Sequence, residues 1–213
     1  MIVAVDGPVA SGKGTLGRRL AERFGFAYLD TGGLYRAVAL RMLRGKHALD
    51  DVGILVAQAK ALEPSDLADP ALRDEKTGEA ASIVAPVPEL RAALLEYQRE
   101  FASAPPYDAP GAVLDGRDIG TVVCPNASVK LFVTASAEAR AQRRFAELTA
   151  KGEDVELATV LEDLAKRDAR DSGRASSPLV PAQDAHLLDT TKMDIEAAFQ
   201  AAEAIVAASM KSS

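Results

Sequence analysis

Gly7-Pro8-Val9-Ala10-Ser11-Gly12-Lys13-Gly14-Thr15 is the stretch on which the reading of this chain turns. It follows the short apolar run Ile2-Val3-Ala4-Val5 and leads into a helical pattern, about Lys13 to Phe24, with Leu16, Leu20 and Phe24 on one face. The spacing G-x-x-x-x-G-K between a strand and a helix is that of a phosphate cradle. Glycines let the backbone turn its N–H groups toward phosphate oxygens, and the lysine supplies a point charge. The helix adds the positive end of its dipole to the same spot. One departure stands out: Gly14 occupies the place where a hydroxyl residue usually follows the lysine and meets magnesium, and Thr15 comes one residue later. This argues against the hydrolytic switch and motor classes and leaves the contact of Thr15 with a metal open.

Working outward, the chain alternates strand and helix. Phe26 to Leu29 reads as a second strand ending in Asp30, and Thr31 as the cap of a helix in which Leu34, Val38 and Met42 share a face. Asp51 to Leu62 continues as a helix through Leu55 and Ala59, Ser65 to Lys76 reads as a loop or poorly formed insert, and Thr77 to Ala85 is weakly helical. Glu89 to Phe101 is strongly amphipathic through Leu90, Leu94, Tyr97 and Phe101. Ala112 to Leu114 and Val129 to Val133 read as strands. The helix between Ser136 and Lys151 puts Arg140, Arg143 and Arg144 on its outer face, and the next, about Val155 to Arg170, packs through Leu157, Leu161 and Leu164. Ala185 to Leu188 is the last strand, and Asp194 caps a final helix bearing Ile195, Phe199, Ala202 and Ile205. The order predicts an α/β fold, a five-stranded parallel sheet with helices on both faces.

Composition narrows the partners. The chain has 213 residues, a net charge of −6, a single cysteine and no run approaching membrane-span length. A nucleic-acid surface as the main business is therefore disfavoured, internal disulfides are excluded, Cys124 reads as a small buried apolar residue, and a cytoplasmic location is expected. Arg36 and Arg117 each follow a strand end closely, on the sheet edge where open α/β folds bind ligands. Arginine suits phosphate because its planar fork donates two parallel hydrogen bonds. A cradle for one polyphosphate plus arginines from separate segments describes a phosphotransferase with a second phosphorylated substrate. Its chemistry is mostly positional: Lys13, magnesium and arginines stabilise charge on an in-line transferring group. An anionic phosphate acceptor needs no strong base, and His47 and His186 read as structural. A segment around Phe145 to Glu156, hinged near Gly152, suits a closing lid that excludes water. Asp115 reads either as an outer-sphere magnesium contact or as a loop cap. Asp118 and Asp171 either accept from substrate or pair with neighbouring arginines.

Four segments together resemble the bacterial cytidylate kinase family: Gly7 to Thr15, Leu29 to Arg36, Asp115-Gly116-Arg117-Asp118-Ile119-Gly120-Thr121-Val122-Val123, and Arg167 to Arg174. Ser177-Pro178-Leu179-Val180-Pro181-Ala182 fits as well. The resemblance implies a nucleoside monophosphate kinase, one P-loop kinase domain over residues 1–213. A monophosphate-binding subdomain is inserted over 37–104, and 143–156 forms a short helical lid. It implies ATP as donor with Mg2+, CMP and dCMP as acceptors, and action as a monomer. Gly7 to Thr15 (Gly7, Pro8, Val9, Ala10, Ser11, Gly12, Lys13, Gly14, Thr15) would hold ATP, with Thr15 and Asp115 toward the metal. Thr31, Tyr35 and Arg36 would hold the acceptor phosphate, and Ser82, Arg91 and Asp118 would face the base. Arg117, Arg167, Asp171 and Arg174 would contact phosphate or sugar, and lid arginines around Arg143 and Arg144 would reach the transferring group. Lys13, Arg117, Arg144 and Arg167 are the implied catalytic set. Two departures accompany this. Thr31 replaces the usual serine of the acceptor motif, and the stretch from about Leu62 to Arg73 is short, where the family carries a small β-sheet, so a reduced insert is expected. Other readings are a kinase for UMP, AMP or a metabolite, a nucleotide-binding module without turnover, and a GTP-hydrolysing switch. The last draws on Thr191-Lys192-Met193-Asp194, which resembles a guanine-reading element, and is opposed by Gly14.

Overall fold

In a computed structural model, which describes residues 1–174 and 177–212, five parallel strands form one sheet in the order β2-β3-β1-β4-β5. The strands are β1 (Ile2–Asp6), β2 (Ala27–Asp30), β3 (Ala112–Gly116), β4 (Val129–Thr134) and β5 (His186–Asp189). Alternation along each strand sorts the core. Ala4, Leu29, Ala112 and Leu114 face one side and pack on α2 (Thr31–Arg44), α3 (Val52–Lys60), α4 (Glu75–Val84) and α5 (Pro88–Ser103). Val3, Val5, Val113, Leu131 and Val133 face the other, against α1 (Lys13–Phe24) and α8 (Ile195–Ser212). Between β4 and β5 run α6 (Ala137–Ala150) and α7 (Leu157–Ser172), which share a separate small core of Ala141, Leu148, Val160 and Leu164.

The register fixes what lies at the carboxyl edge. Asp30 pairs with Asp115 across β2 and β3, and Asp6 pairs with Gly116 across β1 and β3, so β1 and β2 end in aspartate and β3 carries Asp115 one residue before its end. From that edge α1 begins at Lys13 without a side-chain cap.

Several local expectations change. The cap of α2 is Asp30, whose carboxylate accepts the Gly33 N–H at 3.1 Å, and Thr31 is the first helical residue. The stretch read as a loop folds as 3-10 turns Pro64–Ala68 and Pro70–Arg73, each opened by a proline, and runs into α4. No strand lies there. In α5 the buried stripe is Leu90, Leu94, Gln98 and Ala102, while Tyr97 is exposed; Gln98 satisfies its amide by donating to Leu94 O at 3.0 Å. Arg140 is buried rather than outward, held by Asp168 at 2.6 Å and by the carbonyls of Ala135 and Val9. Leu157 and Ile195 are exposed, whereas Leu164, Phe199 and Ala202 pack as expected and Val160 and Val206 join them. Cys124 is buried. Among the described residues no helix is long and apolar enough to cross a membrane.

Candidate active site

A cleft of about 430 Å³ opens over the carboxyl ends of β1, β2 and β3, bounded by α1, α2, α4, α6 and α7. Its first wall is the loop between β1 and α1. Gly7 has φ +154°, and a Cβ there would stand 2.0 Å from Val133 O, so only glycine lets the loop lie against β4. Lys13 is 8% exposed and reaches Pro8 O at 3.4 Å. Burial, aided by Arg117 and opposed by Asp115 and Asp30, pulls its pKa down to about 8. Gly14 makes room for a carboxylate: a Cβ there would lie 3.0 Å from Asp115 Oδ2. Asp115 is buried, accepts the Tyr28 hydroxyl at 2.7 Å, and is held above the usual carboxylate range by burial. Thr15 lies exposed on the first turn of α1.

The other walls carry the arginines, and each is matched by a carboxylate. Arg36 pairs with Asp30 and Arg91 with Asp118. Arg117 donates to Asp171 at 2.7 Å, and Arg174 pairs with the other oxygen of the same carboxylate. Arg144 and Arg167 converge on Glu75, the latter at 3.5 Å. Burial alone would lower the Arg117 pKa, but the charge and hydrogen bond of Asp171 together with the charges of Asp115 and Asp30 outweigh it, and the guanidinium is held above its ordinary value. For Asp171, burial is outweighed by Arg117 and Arg174, and the carboxyl sits below its ordinary range. Burial lowers Arg167 and Arg174, and among the described residues Arg174 Nε has no hydrogen-bond partner.

The cleft thus brings together Val9, Lys13, Gly14, Thr31, Tyr35, Arg36, Ser82, Arg91, Asp115, Arg117, Asp118, Arg144, Arg167, Asp171 and Arg174. Gly7, Pro8, Ala10, Ser11, Gly12 and Thr15 lie in or just after the loop without lining it. Thr31 borders the cleft, but its hydroxyl proton is given to Asp115 O at 2.8 Å, so it ties α2 to β3 rather than offering a donor to phosphate. Ser82 Oγ lies 3.5 Å from Arg170 Nη1. Arg143 turns away from the cleft: it donates to Thr190 O at 2.6 Å and Thr190 Oγ1 at 3.0 Å, beside Ser11 O. His47 and His186 are exposed and do not line the cleft. In the Thr191 to Asp194 segment, Thr191 bonds Asp189 and Asp194 accepts the Ala197 N–H at 2.7 Å as a helix cap, so these groups serve the loop itself.

Sequence reasoning missed the carboxylates Asp6, Asp30 and Glu75, and Tyr28. Asp6 and Asp30 carried a usable signal, since each ends a strand on the edge where Asp115 stands one residue before the end of β3. Glu75 carried none, lying in a stretch that reads as a loop.

Fold and site define a P-loop phosphotransferase: a phosphate cradle at the end of a central parallel strand, facing a second wall of arginines across one cleft. Comparison with known proteins gives the family. The Cytidylate kinase family model matches residues 3–208. The chain is 57% identical over 207 residues to the cytidylate kinase of Rhodospirillum rubrum, covering 97% of each chain. It is also 57% identical over 206 residues to that of Methylocella silvestris, covering 97% of this chain and 94% of that one. A solved structure of an uncharacterized protein from Eubacterium ventriosum superposes over 100% of this chain and 99% of that one with a TM-score of 0.55 at 12% identity, a likeness of fold alone. The chain belongs to the cytidylate kinase family.

Proposed function

We propose that this cleft carries out the family's reaction, transfer of the γ-phosphoryl group of ATP to CMP or dCMP, with the residues in the following roles. The loop Gly7 to Thr15 cradles the donor phosphates, and Lys13 supplies a charge that phosphate contact restores in full. Arg36, with Tyr35 beside it, holds the acceptor phosphate, and Arg117, Arg144 and Arg167 neutralise the group in transit. Arg174 and Asp171 meet acceptor sugar or phosphate. Asp118 accepts from the C4 amino group of cytosine, while Arg91 and Ser82 donate to the ring's acceptors. Helices α3 to α5 and the turns before α4 form the acceptor-side subdomain within 37–104, and residues 143–156 act as the lid.

The observation that carries this reading is the pairing of Arg36, Arg91, Arg117, Arg144, Arg167 and Arg174 with carboxylates around one cleft beside Lys13. Desolvated arginines held by exchangeable carboxylate partners can pass to phosphate oxygens without crossing an uncompensated state. Magnesium fits the donor set: Gly14 brings the Asp115 carboxylate against the turn bearing Thr15, and carboxylate and hydroxyl oxygens are the hard donors that ion takes. Among the described residues no cluster of three or more His, Cys, Asp or Glu forms a closed metal cage, so Thr15 and Asp115 would hold the ion jointly with the phosphates. Bound there, the ion supplies neutralisation of phosphate charge.

An ADP-release assay over a panel of acceptors, with ATP and magnesium, tests the assignment. CMP and dCMP should turn over well ahead of UMP, AMP and GMP. Turnover of AMP equal to that of CMP overturns it.

A further inference from the structure

Asp6 ends the central strand β1, is 5% exposed and does not line the cleft. Its carboxylate nevertheless accepts two successive amide protons from the turn after β3, Ile119 N–H on Oδ1 and Gly120 N–H on Oδ2, each at 2.8 Å. The same residue's backbone is paired in register with Gly116. Asp6 therefore grips both ends of the short run 116–120, by its main chain at one end and its side chain at the other. Between those grips stand Arg117 and Asp118. The turn beyond is closed on itself, since Asp118 O accepts the Val122 N–H at 2.9 Å and Ile119 O accepts the Cys124 N–H at 2.7 Å, and the Ile119 side chain is fully buried. Gly120 allows the close approach: a Cβ would lie 3.1 Å from Lys130 Cδ and 3.4 Å from Asp6 Oδ2.

The geometry points to Asp6 as a positioning residue for acceptor selection. It fixes the backbone from which Asp118 and Arg117 project, and so sets how sharply the cleft distinguishes its acceptor base, without touching either nucleotide. This rests on the reading of Asp118 as the group facing the base. Packing does not call for a charge at this position. Burial pushes the Asp6 carboxyl up to about 6, the Ile119 and Gly120 amides and Arg117 working against that and Asp118 adding to it. A carboxylate kept where ionisation is penalised is kept for its two acceptor oxygens.

The test is steady-state kinetics of Asp6→Asn with CMP and with UMP, ATP as donor. Asparagine keeps the size and one acceptor oxygen but presents an amide N–H to the second backbone donor. The acceptor KM should rise by about tenfold and the preference for CMP over UMP fall by a similar factor, while the KM for ATP stays within about twofold. A variant that leaves acceptor KM and preference unchanged, or raises both KM values alike, overturns the proposal. Gly120→Ala, whose Cβ would press on the Lys130 stem at 3.1 Å and touch the Asp6 carboxylate at 3.4 Å, perturbs the same grip and should show the same split, and it decides the matter by these readouts if Asp6→Asn does not fold. Asp118→Asn separates the two layers of inference. If it leaves the CMP preference intact, the base-facing reading fails. If it lowers the preference while both Asp6→Asn and Gly120→Ala leave it unchanged, only the role of Asp6 fails.

Discussion

Lys13 shows what burial does to a cation. Its pKa falls from 10.5 to about 8 because burial disfavours the ammonium. The unfolded chain takes up its proton first as pH falls from 10.5 to about 8, so the fold loses stability through that window. Below it the full penalty stands, about 3 kcal/mol. In the proposed role, polyphosphate contact would restore the charged form. ATP binding at pH 8 should therefore take up roughly half a proton at this site, read by calorimetric titration in buffers of different ionisation heat. No proton uptake at pH 8 would mean that Lys13 is already fully charged. Its neighbour Gly14 makes a second residue-scale prediction. Gly14→Ser would recreate the commoner Lys-Ser ending, yet the new Cβ stands 3.0 Å from Asp115 Oδ2 and 3.7 Å from the Tyr28 hydroxyl. It should lower kcat/KM by at least about tenfold, and wild-type kinetics would show that Asp115 has room to move.

At the scale of elements, α4 meets α6 and α7 through Glu75, whose carboxylate occupies Arg144 and Arg167. The side chain is 44% exposed, so the pairs add little to stability, about 0–1 kcal/mol, and under the proposed roles they would compete with phosphate for the same guanidinium groups. Glu75→Gln should leave the melting temperature nearly unchanged and lower the acceptor KM by about twofold to fivefold; a raised KM would show that Glu75 orders the arginines instead. The same elements show what was legible. Helix α1 spans Lys13–Phe24 as its apolar spacing predicts, and the five strands stand close to where short apolar runs ending in Asp or Thr place them. Pattern failed where polar groups found private partners. Gln98 entered the core because its amide bonds Leu94 O, and Arg140 because Asp168 neutralises it. The weakly patterned α4 is buried along Thr77, Ala80, Ala81 and Val84 because it packs between α2 and the sheet-side core, a tertiary effect without local signal. In the cleft, Arg36 and Arg117 were legible because they follow strand ends, while Arg91, Arg144, Arg167 and Arg174 were assigned to the site only through the family resemblance. Of their carboxylate partners, Asp118 and Asp171 were open to that reading, whereas Glu75 was not, because it lies in a stretch far in sequence from Arg144 and Arg167.

Across the whole molecule, charge is segregated. The chain carries a net charge of −6, yet the residues lining the cleft include ten lysines and arginines against seven aspartates and glutamates. An acidic exterior keeps anions at a distance in general, and a cationic cleft with low-dielectric walls focuses the remaining field on one mouth. A doubly charged nucleoside monophosphate is drawn to that mouth, whereas the corresponding uncharged nucleoside is not. Salt separates this field from contact binding, because screening acts over about 10 Å at 0.1 M and leaves buried pairs largely intact. Raising ionic strength from about 0.05 M to about 0.5 M should increase the KM for CMP several-fold. Over the same range the inhibition constant of cytidine should barely move. If both respond alike, salt is acting on the protein's conformation. If neither responds, the arginines act only at contact distance, and the acidic surface has no part in selecting the acceptor.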